Sequence, residues 1–265
     1  MGIVNVTPDS FSDGGRLASV EAAVAHGLRL VEQGADILDI GGESTRPGAD
    51  PVGEAEEIAR VIPVIEGLRA GWDGPISIDT MKPVVARAAV AAGATLWNDV
   101  TALSFAPDSL ATAANLGCDV VLMHMKGEPR TMQADPHYED VVEEVAGWLT
   151  ARAGAAMVAG VARERIWLDP GLGFGKTAAH NLALTARLDR LVATGFPILY
   201  GASRKRVIQS VDPTATDPAD RLGGSLALAL EAARAGASIL RVHDVRETVQ
   251  ALAVQAAVTG FEITP

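Results

Sequence analysis

The stretch Gly34-Ala-Asp-Ile-Leu-Asp-Ile-Gly-Gly42 carries the pattern that decides the fold of this chain. A glycine that can end a helix is followed at once by a short apolar run, which contains the charged residue Asp39 and stops at a pair of glycines. Alanine-rich amphipathic stretches lie on either side. The pattern predicts one buried strand between two helices.

Seven further runs repeat this pattern and alternate with amphipathic stretches. The predicted strands are Gly2–Val6, Ala35–Ile40, Ile76–Ile78, Ala94–Trp97, Val120–Met123, Ile166–Leu168, Ile198–Tyr200 and Ile239–Val242. Strands that alternate with helices in this number, over 265 residues, are typical of the α/β class and of a (β/α)8 TIM barrel. We predict a single catalytic domain over residues 1–265, with its active face at the carboxyl ends of the strands.

Helix boundaries follow from the same reading. A glycine followed by alanine or cysteine is expected to end a helix at four positions: Gly34, Gly93, Gly117 and Gly236. Ser19 is a candidate N-cap for the first helix, and later helices are expected over Lys82–Ala92 and Pro218–Ala235. Asp244 and Glu247 resemble a capping box that begins the last helix.

Composition limits the class of protein. A formal net charge of −11 argues against a broad nucleic-acid or membrane-surface partner. The single cysteine, Cys118, excludes an internal disulfide and favours the reducing cytosol; its position before a strand predicts an inert core thiol. The chain has no apolar run long enough to span a membrane and no signal-peptide pattern at its start. We therefore expect a cytoplasmic protein.

Two of the predicted strand-to-helix connections are longer than a turn requires. They run over Thr7–Gly15 and Gly41–Ala49 and are rich in Gly, Pro, Ser and Asp. Both follow strands and belong to the active face, where they act either as lids or as spacers. Phe11 and Arg46 near their tips favour lids.

Two tempting motifs do not fit. Phe174-Gly-Lys-Thr177 resembles the end of a phosphate-binding P-loop, but Pro170 stands where the first glycine of that motif is required. We interpret the segment as a glycine-rich loop after Asp169. The five histidines show no paired spacing and no cysteine partners, which argues against a zinc site.

Three polar residues, Asp79, Asn98 and Asp169, end predicted strands and are expected to meet at the barrel mouth. Carboxylates beside an amide can accept and donate along the edge of a flat heterocycle that has an amino-amidine face. The alternative is that these side chains cap the following helices or bind each other. Because buried carboxylates without donors are costly, a bound ligand is a natural partner.

A cationic group follows the last two strands. Ser203–Arg206 comes after the seventh strand, and Arg241 and His243 end the eighth. Loops at these positions of a barrel frequently bind phosphate, which suits Arg and Lys, and Arg46 offers a further cation. The alternative is a set of solvated basic residues. The amide oxygen of Asn5 is a candidate Mg²⁺ ligand because hard cations prefer oxygen.

At these residues the chain resembles the dihydropteroate synthase family over essentially its whole length. The matching segments are Met1–Gly15, Asp39–Gly48, Ser77–Thr80, Asn98–Val100, Met123–Met132, Asp169–Thr177, Ser203–Lys205 and Arg241–Asp244. Their order along the predicted strands makes the resemblance specific.

The resemblance implies a Mg²⁺-dependent transferase of folate biosynthesis and a sulfonamide target. It would condense 6-hydroxymethyl-7,8-dihydropterin pyrophosphate with p-aminobenzoate to give 7,8-dihydropteroate and pyrophosphate. By position, the resemblance implies five residues that contact the pterin substrate: Asp79, Asn98, Met123, Asp169 and Lys205. Asp169 would read the amino-amidine edge of the ring.

The resemblance also implies roles for residues around the second substrate and the phosphates. Asn5 would bind Mg²⁺, and Arg46, Arg241 and His243 would hold the phosphates. The p-aminobenzoate pocket would be formed by residues of the two long loops: Phe11, Thr45, Arg46 and Pro47. Asp13, Lys205 and Arg46 would have catalytic roles, with Asp13 offsetting positive charge at the pterin methylene.

Two alternatives stay open at this point. A pterin-binding methyltransferase domain shares the barrel and the pterin-reading residues, but it has no need for the Ser44–Pro47 segment or the Ser203–Lys205 cluster. A non-catalytic pterin-binding paralogue would be expected to lose loop residues or Lys205, which this chain keeps. The family resemblance further implies a homodimer.

Overall fold

A computed structural model of the chain describes residues 1–6, 15–44, 50–127 and 131–260, and for residues 15–19 it describes the backbone alone. Eight parallel strands alternate with helices along these ranges, as the sequence predicts. Within the same ranges, no helix combines the length and the apolar character that crossing a membrane requires.

Each strand is followed by at least one helix. The strands are β1 Gly2–Asn5, β2 Leu38–Gly41, β3 Ile76–Asp79, β4 Leu96–Asp99, β5 Asp119–Met123, β6 Ile166–Asp169, β7 Leu199–Tyr200 and β8 Ile239–Leu240. The helices are α1 Gly15–Glu32, α2 Glu54–Arg69, α3 Pro83–Ala91, α4 Ser109–Leu116, α5 Val141–Val158, α6 Ala178–Ala186, α7 Leu188–Val192, α8 Arg206–Val211, α9 Leu222–Ala235 and α10 Val245–Thr259. Short 3-10 turns precede β6 and α9.

The strands close into a (β/α)8 barrel along two seams. Strands β1 to β6 form a continuous six-stranded parallel sheet, and β7 pairs with β8. A bridge between Leu168 and Ile198 joins β6 to β7, and a bridge between Gly2 and Val242 joins β8 to β1. The predicted fold class is therefore confirmed.

Inside the barrel, apolar side chains lie towards the amino ends of the strands and polar side chains towards their carboxyl ends. A compact cluster of buried side chains fills its amino-terminal half: Leu96, Val121, Leu199 and Ile239. Because successive side chains alternate between faces, Asn98 shares the inner face of β4 with Leu96, and Arg241 follows Ile239 in the same way. The fully buried Trp97 belongs to the larger core between strands and helices.

Glycine ends helices where the sequence predicts it. Gly34, Gly93, Gly117 and Gly236 all adopt positive φ, and Gly236 is the left-handed C-cap of α9. The predicted start of the first helix is wrong, because α1 begins at Gly15, ahead of Ser19. The intervening Arg, Leu and Ala are good helix formers and extend the helix towards its amino end.

The predicted capping box of the last helix is wrong in its side chains. Asp244 occupies the N-cap position of α10 but makes no capping hydrogen bond. Its carboxylate accepts instead from the Arg204 guanidinium, at 3.0 Å from Nε and 2.5 Å from Nη2. A charged donor from another loop thus replaces the weaker local bond.

Cys118 is buried, and burial raises the pKa of its thiol to about 11, as expected for an inert core residue.

The turn after β4 contains two consecutive strained residues. Ala102 and Leu103 have φ of 51° and 62°, a region that costs non-glycine residues about 1–2 kcal/mol each. The buried Asp99 carboxylate accepts from Thr101 N at 2.7 Å and Leu103 N at 2.9 Å. The Arg152 guanidinium donates to the carbonyls of Ala102 and Leu103 at 2.7–3.0 Å. These charged groups hold the turn in its left-handed conformation.

Removing the Arg152 guanidinium should destabilise the barrel through this turn. We expect Arg152→Met, which keeps the apolar stem, to lower the free energy of unfolding by about 2–3 kcal/mol because two carbonyls lose a charged donor. Urea denaturation measures the change. The control Arg187→Met breaks exposed ion pairs to Asp140 and Glu143 and should cost less than about 1 kcal/mol. Equal losses would contradict the assignment.

Candidate active site

The carboxyl ends of neighbouring strands bring the predicted ring-binding residues together. In the pairing register, Gly41 lies between Asn5 and Asp79, and Asp79 lies opposite Asn98. Met123 lies opposite Asp169 at the ends of β5 and β6. The sequence-based placement of these residues at one barrel mouth is therefore correct.

One guanidinium binds two carboxylates at the centre of this mouth. Arg241 donates from Nε to Asp39 Oδ2 at 2.5 Å and from Nη2 to Asp79 Oδ2 at 2.7 Å. Asn98 Nδ2 donates to the same Asp39 oxygen at 3.3 Å. Asp39 is fully buried, and its Oδ1 has no hydrogen-bond partner among the described residues. Asp39, which lies in the stretch that decides the fold, thus joins the site, although the sequence predicts no specific role for it there.

Sharing one cation leaves the two carboxylates short of positive charge. Burial raises the pKa of Asp79 to about 7; Arg241 opposes this rise, and the Asp39 carboxylate adds to it. For Arg241, burial lowers the pKa, but the carboxylates of Asp39 and Asp79 outweigh burial and raise it above its ordinary value. The guanidinium therefore stays charged, and Asp79 can gain a proton near neutral pH.

Lys205 and Asp169 form the second charged part of the mouth. The Lys205 ammonium donates to the Leu172 carbonyl and lies 4.7 Å from the centre of the Phe174 ring. Burial lowers the pKa of Lys205 to about 8, and the Asp169 carboxylate opposes that change. Burial raises the pKa of Asp169 against the attraction of Lys205. Each group is thus held in its charged form mainly by the other.

The glycine-rich segment after Asp169 is a loop that connects β6 to α6, as the sequence analysis interpreted it. Gly171 and Gly175 have φ of +65° and +62°. A Cβ at Gly171 would lie 2.0 Å from the His124 carbonyl oxygen, and one at Gly175 would lie 2.2 Å from the Lys126 carbonyl oxygen. The loop therefore packs directly on the backbone after β5, which only glycine permits.

Lys176 is a buried lysine inside this loop that was not among the predicted site residues. Its ammonium contacts the carbonyl oxygens of Gly171, His124 and Phe174 at 3.0–3.2 Å and the His124 Nδ1 atom at 2.9 Å. Burial lowers the pKa of Lys176 to about 7 and that of His124 to about 3. A neutral imidazole therefore accepts from Lys176, which fastens the loop that supplies the Leu172 carbonyl to Lys205.

The predicted cationic group divides in the structure. Lys205 faces the mouth, whereas Arg204 pairs with Asp244, and Arg206 is exposed. His243 lies at the end of β8, with its Nδ1 atom 3.0 Å from Ser203 Oγ. The tight turn explains the division, because Arg204 has a φ of 60° and turns its side chain away from that of Lys205.

Asn5 is suited to a single-ligand role towards a hard cation. A methyl group built on Gly41 would lie 3.8 Å from both Asn5 Oδ1 and Asp79 Oδ2, so these two oxygens flank the space above Gly41. The part of the chain that the structure describes contains no cluster of three or more His, Cys, Asp or Glu residues suited to a metal. An amide oxygen beside a carboxylate is chemically suited to a hard cation such as Mg²⁺, to which Asn5 would supply one ligand.

Five of the predicted site residues lie outside the described residues: Phe11, Asp13, Thr45, Arg46 and Pro47. The prediction that their loops act as lids lies there too. Their assignments remain predictions from the resemblance.

The barrel and its mouth match a known family. The family model described as "Pterin binding enzyme" matches residues 1–243. Together with the site geometry, this match defines a pterin-binding barrel enzyme.

Known relatives identify the family more closely. Dihydropteroate synthase of Escherichia coli (strain K12) is 48% identical over 254 residues, which cover 96% of this chain and 89% of that protein. A solved structure of Xanthomonas albilineans dihydropteroate synthase with 4-aminobenzoic acid has a TM-score of 0.93 at 56% identity. The match covers 99% of this chain and 93% of the chain in that structure. A second structure of the protein from this organism, in complex with 7,8-dihydropteroate, has a TM-score of 0.90 at 53% identity. The match covers 99% of this chain and 94% of the chain in that structure. The chain belongs to the dihydropteroate synthase family.

The central ion pairs make stability depend on pH in a defined direction. Arg241→Met should cost about 3–5 kcal/mol at pH 8, because it leaves the carboxylates of Asp39 and Asp79 buried without a cation. Without Arg241 the pKa of Asp79, which burial already raises above its unfolded value, rises further. The contribution of Asp79 to stability is therefore present at low pH and lost as pH rises. The loss should shrink by at least about 1 kcal/mol at pH 5.

Urea denaturation at both pH values tests this expectation. Arg234→Met, which breaks an exposed pair with Glu231, is the control and should cost less than about 1 kcal/mol at either pH. A loss for Arg241→Met that does not vary with pH would show that the two carboxylates do not depend on this cation.

Proposed function

We propose that this chain condenses 6-hydroxymethyl-7,8-dihydropterin pyrophosphate with p-aminobenzoate to give 7,8-dihydropteroate and pyrophosphate. One observation carries the proposal: in a chain of this family, Asp79, Asn98 and Asp169 converge at the barrel mouth with Lys205 and Arg241. The relatives named dihydropteroate synthase support the same reaction, and two solved structures of the Xanthomonas albilineans protein contain 4-aminobenzoic acid and 7,8-dihydropteroate.

Pterin recognition is assigned to the carboxylates and the amide. A pterin presents ring and exocyclic N–H groups along one edge, and a buried carboxylate can accept two of them in parallel. We assign this role to Asp169, whose Oδ1 also accepts from Gly171 N at 2.7 Å. Asn98 can donate and accept beside it, and Asp79 completes the edge. Ligand N–H donors would offset the desolvation that raises the pKa of Asp79 and Asp169.

The phosphate end is assigned to the cations beside this edge. Arg241 and His243 lie at the end of β8, and we propose that they hold the phosphates together with Arg46. The amide oxygen of Asn5 would ligate Mg²⁺, which when bound would stabilise negative charge on the pyrophosphate. To reach a phosphate, Arg241 has to share its guanidinium between the ligand and Asp39, which the fork of five N–H donors allows.

Bond changes in the proposed reaction need no covalent enzyme intermediate. The bond between the pterin methylene carbon and the pyrophosphate oxygen breaks, and its electron pair leaves with pyrophosphate. The arylamine nitrogen then attacks the methylene carbon and releases one proton to solvent or pyrophosphate. We assign Asp13 to the cationic methylene, and we propose that the p-aminobenzoate pocket is formed by Phe11, Thr45, Arg46 and Pro47. Exclusion of water by these loops would prevent trapping of the cation as an alcohol.

A homodimer and a cytosolic location are part of the proposal, with residues 1–265 as one catalytic domain. Val254 and Val258 lie one turn apart on α10 and are 59% and 68% exposed. Exposed valines so spaced support an apolar face that a second copy would cover. Sedimentation velocity tests the assembly, and a monomer at all concentrations would contradict it.

Pyrophosphate release is the measurement that separates the proposed synthase from a binding protein. With dihydropterin pyrophosphate and Mg²⁺, release should require p-aminobenzoate and yield dihydropteroate. Lys205→Ala should lower kcat/KM at least about 100-fold, because its charged contact with the pterin substrate is lost. The control is Arg163→Ala, which should retain full activity. Arg163 lies just before β6, away from the strand end that carries Asp169, and donates to the Gly195 carbonyl. Tight pterin binding without turnover would favour a non-catalytic paralogue.

The pH profile should report the charge of Lys205. Its pKa is lowered to about 8, so the ammonium that the ligand requires is lost as pH rises through that value. We expect kcat/KM for dihydropterin pyrophosphate to fall above pH of about 8 in the wild type. In Lys205→Arg the guanidinium stays charged, so the alkaline fall should move to higher pH even though the maximum is lower. An identical alkaline limb in both proteins would exclude Lys205 as its source.

A further inference from the structure

A buried charged cluster lies next to the barrel mouth and has no role in the reaction proposed above. It consists of Lys82 at the start of α3, Glu57 on α2 and Glu43 after β2, and we call it the Lys82 cluster. The Lys82 ammonium donates to Glu43 Oε2 at 2.8 Å, to Glu57 Oε2 at 2.5 Å and to the Val52 carbonyl oxygen at 2.7 Å. The Lys82 and Glu43 side chains are each 7% exposed, and that of Glu57 is fully buried.

Two members of this cluster bind both backbone groups of one residue. Val52 N donates to Glu43 Oε1 at 2.9 Å, and the Val52 carbonyl accepts from Lys82. Because Glu43 also bonds to Lys82, a closed ring of hydrogen bonds connects Glu43 with Val52. The ring sets the distance between the two ends of the connection from β2 to α2.

The same lysine is tied to the strand ends that carry the proposed ring-binding residues. Lys82 N donates to Thr80 Oγ1 at 3.2 Å, and Thr80 N donates to the Asn98 carbonyl at 3.1 Å. Asp79 immediately precedes Thr80 at the end of β3. These hydrogen bonds therefore fix the position of Val52 relative to the strand ends that form the floor of the proposed pterin site.

Stability alone does not account for the cluster. It holds two buried carboxylates for one ammonium, and Glu57 Oε1 has no hydrogen-bond partner among the described residues. Buried ion pairs recover their desolvation cost poorly, and apolar side chains of similar size are often as stabilising. What apolar residues cannot do is hold a backbone N–H and a backbone C=O at a fixed separation.

We propose that Glu43 and Lys82 are positioning residues that set the ends of the connection between residues 43 and 52 and thereby control affinity for p-aminobenzoate. The inference rests on the proposed function, in which Thr45, Arg46 and Pro47 of this connection contact that substrate. Binding of the pterin ring, which the strand ends hold, should not depend on these hydrogen bonds, and the phosphates of the pterin substrate should depend on them only through Arg46.

Glu43→Met and Glu57→Met form a matched pair of variants. Each removes one carboxylate of the cluster, keeps a side chain of similar length and leaves Lys82 paired with the other glutamate. Only Glu43→Met opens the ring around Val52. Both variants should therefore fold, and thermal unfolding checks that their Tm values agree.

Steady-state kinetics and amide exchange then test the proposal. For Glu43→Met we expect KM for p-aminobenzoate to rise at least about tenfold and KM for dihydropterin pyrophosphate to rise about threefold at most, because Arg46 alone among the proposed contacts of that substrate lies on this connection. Exchange of the Val52 amide should be faster by at least about tenfold, because its acceptor is lost. Glu57→Met should leave all three quantities near the wild-type values.

Two outcomes overturn the proposal: an unchanged KM for p-aminobenzoate in Glu43→Met, or equal changes for both substrates in both variants. If the wild-type chain does not release pyrophosphate, the proposed function fails, and Val52 exchange decides the fate of the ring. Faster exchange in Glu43→Met alone supports its positioning role, and equal exchange in the two variants overturns it.

Discussion

Side chains in a strand alternate between two faces, and the rest of this molecule depends on that two-residue period. On β4 and β8 it puts Leu96 and Ile239 in the apolar half of the barrel and Asn98 and Arg241 at its mouth. The apolar half provides the rigid floor. The polar half, with the same spacing on β3 and β6, provides a ring of groups at fixed separations. Core and site are thus built from the same strands, and a register shift of one residue would turn both Leu96 and Asn98 out of the barrel interior.

Charge at the mouth is balanced by sharing rather than by separate pairs. Arg241 serves two carboxylates, and Lys205 and Asp169 each sustain the other's charge against burial. The buried carboxylates lack N–H donors, which one end of a ligand can supply, whereas phosphates at its other end would share the cations with these carboxylates. The site is therefore short of donors until a ligand enters.

Local patterns predicted what local physics decides. The eight strands, the glycine helix ends and the meeting of Asp79 with Asn98 follow from periodicity and from the barrel rule. Partners distant along the chain could not be predicted in this way. Asp39 pairs with a residue 202 positions away, and the expected capping role of Asp244 is lost to an arginine 40 positions away. Buried Lys176 and Lys82 belong to the same class, because a lysine in sequence carries no sign of which carbonyls will surround it.

The two seams of the barrel have a mechanical consequence. Asp39, Asp79, Asn98 and Asp169 belong to the six-stranded sheet, whereas Lys205 lies in the loop after β7 and Arg241 immediately follows β8. The two sheets meet through the bridges Gly2–Val242 and Leu168–Ile198. At the mouth, the ion pairs of Arg241 with Asp39 and Asp79 connect one sheet to the other. Few backbone hydrogen bonds join the two sheets, so these ion pairs contribute to the closure of the barrel. A ligand that draws the guanidinium away would therefore also weaken the connection between the sheets.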